Sequence, residues 1–187
     1  MKENWKNAIK MMKIDKSYHE ASLDRCNLIP QKIIDYGKRW LAAPNRPNLY
    51  LHGNTGSGKS YFSVALFREM VEMNFNWLIY VKSYDLDDEL LDSIETKQER
   101  SILQKYCEVP ILFIDDLGAE RPTERVARQY FKIIDSRTAN KKLTIVNSNL
   151  PKNELPLGDR TISRLEYFMD IEFPKVDLRK QLELIEV

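Results

Sequence analysis

The chain has 187 residues, 43 % hydrophobic and 30 % charged, a balance that suits one globular domain with a real core and excludes a disordered chain. Its 29 lysines and arginines face 28 acids, leaving a formal charge of +1. No global field draws such a molecule onto nucleic acid, so any contact of that kind must come from a local patch.

At the start, MKENWKNAIKMMKI lacks the continuous apolar core of a signal peptide, while Trp5, Ile9 and Met12 recur at helical spacing. That spacing predicts a short amphipathic helix, with two uses open to it: docking on the body of the domain or on a partner protein. Pro30 opens a second helix that carries Ile33, Ile34, Trp40 and Leu41 toward a core, and the Pro44 region ends it. NLYLH, in the region of residue 49, reads as a strand that feeds the glycine-rich run HGNTGSGKS. A helix leaves that run with Phe62, Ala65, Leu66 and Met70 on one face. WLIYV (77–81) is the next strand.

Residues 83–108 are polar and helix-prone. Asp85, Asp87, Asp88, Glu89, Asp92, Glu95, Glu99 and Glu108 outweigh Lys97, Arg100, Lys105 and, at the edge, Lys82, so this connection is a poor phosphate-binding surface. ILFID (111–115) is a continuous apolar strand ending in acid. After Pro122, with Thr123 as N-cap, a helix buries Val126, Tyr130, Ile133 and Ile134. LTIVN (143–147) and a weaker DIEF (170–173) complete the strands, and the tail after Pro151 reads as a small helical appendage. Apolar strands alternating with helices predict an α/β fold with a mostly parallel, five-stranded sheet sandwiched by helices. Cys26 and Cys107 stand far apart with no Cys/His cluster, which fits buried, reduced thiols and not a zinc site or disulfide framework. No apolar run nears the roughly 20 residues of a membrane span. A cytoplasmic protein with no membrane partner is expected.

HGNTGSGKS contains GxxxxGK[ST], with Gly53, Gly58, Lys59 and Ser60 in the fixed positions and Asn54, Thr55, Gly56 and Ser57 between them. Glycines let the backbone curl so that its N–H groups, including that of Tyr61 just beyond, converge on phosphate oxygens. The helix that follows adds the positive end of its dipole. Lys59 reaches the outer phosphates of ATP, and the Ser60 hydroxyl is a ligand for Mg²⁺. Asp115, ending its strand at the carboxyl edge of the sheet, would hold the same Mg²⁺ through water. Asp116 would orient or deprotonate the attacking water. Asn147, Ser148 and Asn149 end the neighbouring strand, where an amide can position water; a plain polar turn before Pro151 explains them equally well.

Taken together, GNTGSGKSYF, ILFIDDLG, FKIIDSRTANKKLTIVNSNL and LGDRTISRL resemble the DnaC/DnaI helicase loaders and the related IstB-type transposition ATPases. These are AAA+ P-loop NTPases close to the DnaA initiators, and the similarity runs over roughly residues 18–180. It implies a segment 1–25 that docks a partner and an AAA+ ATPase domain over 26–187 with a small or absent C-terminal lid. It further implies that Asn149 is a polar sensor of the γ-phosphate. Arg164 matches an arginine finger inserted by a neighbouring subunit, with Arg160 the second candidate, and Arg179 falls where a C-terminal sensor arginine sits. A finger acting in trans requires self-association into a ring or spiral. The resemblance also implies ATP hydrolysis that is weak alone and stimulated by partner or DNA. The partner would be a replicative hexameric helicase, and single-stranded DNA would lie along the basic stretch 121–142, namely Arg121, Arg125, Arg128, Lys132, Arg137, Lys141 and Lys142. Two departures stand out: no zinc-binding cysteines precede the core, and Arg179 lies in DLRK instead of a Ser-Tyr-Arg setting. Helicase loading leads this reading. An IstB-like transposition helper and an ATP-driven assembly switch with little turnover are its rivals; a small-molecule kinase would need a lid and substrate anchors that the chain does not show.

Overall fold

A computed structural model describes residues 2–178. Its centre is a sheet of five parallel strands: β1 (Leu49–His52), β2 (Leu78–Lys82), β3 (Ile111–Asp115), β4 (Leu143–Ser148) and β5 (Met169–Glu172). Across the sheet the order is β2-β3-β4-β1-β5. Every residue of β3 is buried, as its unbroken apolar run requires of a central parallel strand. At the edge, β5 buries only Ile171 of its four residues, which is why its sequence signal is weak.

Strand alternation divides the core in two. Leu49, Leu51, Leu78, Tyr80, Ile111, Phe113 and Ile145 face α1 (Lys2–Met11), α2 (Gln31–Ala42) and α3 (Lys59–Glu72). Tyr50, Leu112, Ile114 and Val146 face α4 (Ser83–Glu95), α5 (Glu99–Glu108), α6 (Glu124–Ala139) and α7 (Asp159–Leu165). The α2 and α6 residues expected inward are all buried. Thr123 caps α6 by accepting from the Val126 amide at 3.3 Å. The acidic connection is two helices, with Lys97 at a φ of +59° in the break between them.

Helix α1 lies against α3. The Trp5 indole donates to the His19 carbonyl at 2.9 Å, packs on Phe67 and lies beneath the Arg68 guanidinium. Three expectations need correction. Trp77 does not belong to β2: its φ is +64° and its side chain is 77 % exposed, so the strand starts one residue later. Phe173 is buried but follows β5 instead of ending it. Arg137, counted among the DNA-facing bases, is wholly enclosed at 0 % exposure.

Candidate functional site

Parallel strands bring their carboxyl ends to one edge, and the site forms there, at the end of β1. Two glycines are forced by what lies behind the loop. A Cβ on Gly53 would come within 2.8 Å of the Phe173 carbonyl oxygen, and one on Gly58 within 2.9 Å of Ile29, where φ is already +95°. Gly58 is also the N-cap of α3 and supplies no side-chain acceptor, so the first-turn amides are left to whatever the loop encloses. Asn54 and Thr55 form the exposed crest, and Ser57 is buried beneath it. The Tyr61 ring turns away toward the Ser22–Cys26 turn, leaving only its backbone for the loop.

Polar contacts knit three strand ends together. The buried Lys59 ammonium donates to the carbonyls of Gly53 at 2.7 Å and Asn54 at 2.8 Å, and to Asn149 Oδ1 at 2.9 Å. Asn149 in turn donates through Nδ2 to Asp116 Oδ1 at 2.7 Å. The Ser60 hydroxyl donates to Asp115 Oδ1 at 3.0 Å, and Asn147 Nδ2 donates to the same oxygen at 2.6 Å. The register that sets Ile114 beside Val146 explains the second contact, since it brings the next residues, Asp115 and Asn147, together. Each carboxylate thus has its own amide, Asn147 near the end of β4 for Asp115 and Asn149 just beyond the strand for Asp116.

Asp116 leaves the strand with φ at +60°, and its carbonyl accepts from the Ser83 hydroxyl at 2.7 Å. Burial raises its carboxyl above the ordinary value, and the neighbouring Asp115 adds to the rise. From the N-terminal segment, a 3-10 turn at Lys16–Tyr18 directs the Tyr18 phenol toward Ser60 and Asp115; burial, then the Asp115 charge, raises the phenol above its usual range.

Serine hydroxyl and aspartate carboxylate are hard oxygen donors of the kind Mg²⁺ takes. No group of three or more His, Cys, Asp or Glu among the described residues forms a metal cage. A cation here would therefore share its coordination with phosphate oxygens and water, as Mg²⁺ does at triphosphates.

The arginines lie elsewhere. Arg164, on α7, bonds through Nε to Asp135 Oδ1 of α6 at 2.5 Å, with both side chains 39 % exposed. Arg160 stacks its guanidinium over Phe131 at 4.1 Å. Arg179 lies outside the described residues. On α6, Lys132 pairs with Glu99 at 3.2 Å, and Arg125 stands 3.9 Å from the same carboxylate. Arg121, Arg128 and Lys141 are exposed. Sequence reasoning singled out Asn149 but gave Asn147 no specific task; only strand register shows that it serves Asp115.

The model of the bacterial DnaA ATPase domain matches residues 39–172. DnaA of Lactiplantibacillus plantarum is 25 % identical over 139 residues, which are 73 % of this chain but 30 % of that protein. The chain thus spans about a third of the length of the curated relatives it matches. Among solved structures, DnaI superposes with a TM-score of 0.75 at 26 % identity, over 87 % of this chain and 96 % of that one. AMPPCP-bound DnaA from Aquifex aeolicus superposes at 0.74 and 19 % identity, over 90 % of this chain and 56 % of that one, a likeness of fold. The glycine-lined loop, the strand-end carboxylates and the amides at the end of β4 sit on the parallel sheet that these AAA+ proteins share, and the chain belongs to the bacterial DnaA ATPase domain family.

Proposed function

We propose that the chain binds ATP·Mg²⁺ at the Gly53–Ser60 loop and hydrolyses it to load or remodel a replicative helicase on single-stranded DNA. The observation that carries this reading is the run of contacts Lys59–Asn149–Asp116 beside Ser60–Asp115–Asn147 at one sheet edge. Backbone amides and Lys59 hold the triphosphate. Ser60 and Asp115 hold the magnesium ion, which when bound offsets charge on the outer phosphates. Asp116 takes a proton from water in this reaction, a role that its raised pKa supports. Asn149 responds to the γ-phosphate and orients the water, a role supported by its contacts with both Lys59 and Asp116.

Arg164 acts from a neighbouring copy in a ring or spiral, which requires it to leave Asp135. Arg179 is the second arginine assigned to the nucleotide. DNA lies along Arg121, just ahead of α6, and Arg125, Arg128 and Lys132 on its outer side, with Lys141 and Lys142 beyond its end and Arg137 excluded. Loading is favoured over a transposition helper because the match to DnaI covers nearly all of that structure. A second reading, an initiator-type ATPase that assembles on DNA, is supported by the DnaA family match.

Calorimetry with ATP and ADP at millimolar magnesium is the first test, and no nucleotide uptake by folded protein refutes the site. Co-purification with a hexameric helicase and ATPase stimulated by single-stranded DNA support loading. Capture of duplex DNA with a transposase, or of duplex DNA alone, transfers the assignment to the helper or to the initiator.

A further inference from the structure

Two buried polar atoms beside Asp115 make no well-formed hydrogen bond within the protein: the Tyr80 hydroxyl, on a residue 5 % exposed, and Asn147 Oδ1, on a residue 1 % exposed. A carboxylate only accepts, so the contact from Asn147 to Asp115 must use the amide NH₂. That fixes the orientation of the amide and leaves Oδ1 needing a donor. Tyr80 pairs with Phe113, two residues before Asp115 on the adjacent strand. It therefore stands diagonal to Asp115 on the same sheet face, within reach of a long side chain. Its phenol turns toward the Asp115 carboxylate and the Ser63 hydroxyl, in bonding geometry with neither. The ring is wedged between Phe67 at 5.6 Å and Phe113 at 5.9 Å, so the hydroxyl cannot swing to another partner.

An orphaned buried polar atom opposes folding, and two orphans beside one carboxylate call for a physical reason. Mg²⁺ dehydrates reluctantly, and the waters it keeps are strong donors. Asn147 Oδ1 and the Tyr80 oxygen are both suited to accept from such waters. We infer that Tyr80 and Asn147 are positioning residues for the hydration shell of the magnesium ion at Ser60 and Asp115. The inference rests on the reading of the loop as an ATP·Mg²⁺ site. Neither residue touches the nucleotide; both act through water. If Tyr80 were only a core aromatic, its hydroxyl would be idle.

The test is binding of a non-hydrolysable ATP analogue by calorimetry, first in chelator and then across a magnesium series, with bound Mn²⁺ counted by electron paramagnetic resonance. Tyr80→Phe keeps the ring and removes an orphan, so its thermal stability is expected to equal or exceed that of the parent. Its metal-free affinity for the analogue is expected to match the parent. The half-saturating magnesium concentration, and the Mn²⁺ dissociation constant with it, should rise about tenfold, the usual scale for losing an outer partner of a metal site. Asn147→Ser should shift the metal titration in the same direction. If both variants follow the parental magnesium curve, the inference is overturned while the nucleotide site stands. If the parent takes up no analogue with or without metal, the site itself is wrong.

Discussion

Arg137 is buried among neutral oxygens, and replacing it measures what holds α5, α6 and β4 together. Its guanidinium donates to the carbonyls of Tyr106 at 2.8 Å, Val109 at 2.7 Å and Leu143 at 2.6 Å, and to the Thr144 hydroxyl at 2.9 Å. Two of these carbonyls close α5, where Pro110 has no N–H with which to satisfy the Tyr106 carbonyl. The cation therefore caps a helix C-terminus from inside the molecule, and the dipole there favours positive charge. Burial lowers its pKa to about 10, which leaves it protonated at neutral pH. In Arg137→Met, three carbonyls lose a donor at about 1–3 kcal/mol each, while the desolvation of the guanidinium, several kcal/mol, is recovered. The net loss is about 3–5 kcal/mol, comparable to breaking a buried charge network, and at this chain length it lowers Tm by roughly 10–15 °C. Arg137→Lys should lose about half of that, since an ammonium has three donors for four acceptors. Calorimetric unfolding at pH 7, checked by urea titration with an unchanged slope, reads the difference. A Tm within about 3 °C of the parent for Arg137→Met refutes the internal cap. Single-stranded DNA affinity per folded molecule should not change in Arg137→Lys, whereas Arg128→Ala should weaken it and flatten its salt dependence.

Lys59→Ala is expected to abolish ATP binding in calorimetry and to leave the far-ultraviolet spectrum intact, since the contacts it removes lie in the loop and at strand ends and not in the helices or the sheet. Arg164→Ala should keep parental ATP affinity and lose hydrolysis by about a hundredfold or more in the assembled state, read by phosphate release with helicase and DNA present; arginine fingers carry about 10³–10⁵ in rate. Parental turnover there would remove Arg164 from the reaction. Asp116→Asn should make the metal-free protein more stable at neutral pH. A raised folded pKa means that ionised Asp116 opposes folding, a penalty that fades as pH falls through the folded value toward 3.8. Thermal melts at pH 7 should therefore separate the two proteins, and melts near pH 4 should bring them together.

Much of this molecule is legible in the sequence because local rules suffice for it. The GxxxxGK[ST] spacing marks the loop, the apolar runs mark the central strands, and Thr123 marks the start of α6. What escaped depends on relations across the sheet. Asn147 and Asn149 look alike in VNSN, and only the pairing of β3 with β4 assigns one to Asp115 and the other to Asp116. Tyr80 reads as an ordinary strand aromatic until β2 is placed beside β3. Arg137 reads as a surface base because arginine is rarely enclosed; the unpaired carbonyls ahead of Pro110 that enclose it lie about 30 residues earlier in the chain. Trp77 satisfied the apolar run of WLIYV, yet its left-handed backbone puts it outside the strand.

The left-handed backbone at Asp116 narrows the choice of residue there. A side chain with a Cβ pays for φ near +60°, and glycine, asparagine and aspartate pay least. Glycine brings no functional group, and asparagine cannot take up a proton at neutral pH. Lys97 and Trp77 hold the same backbone in this chain, so the angle admits other residues; between the two acids it favours aspartate, whose short side chain bears a left-handed backbone more readily than that of glutamate.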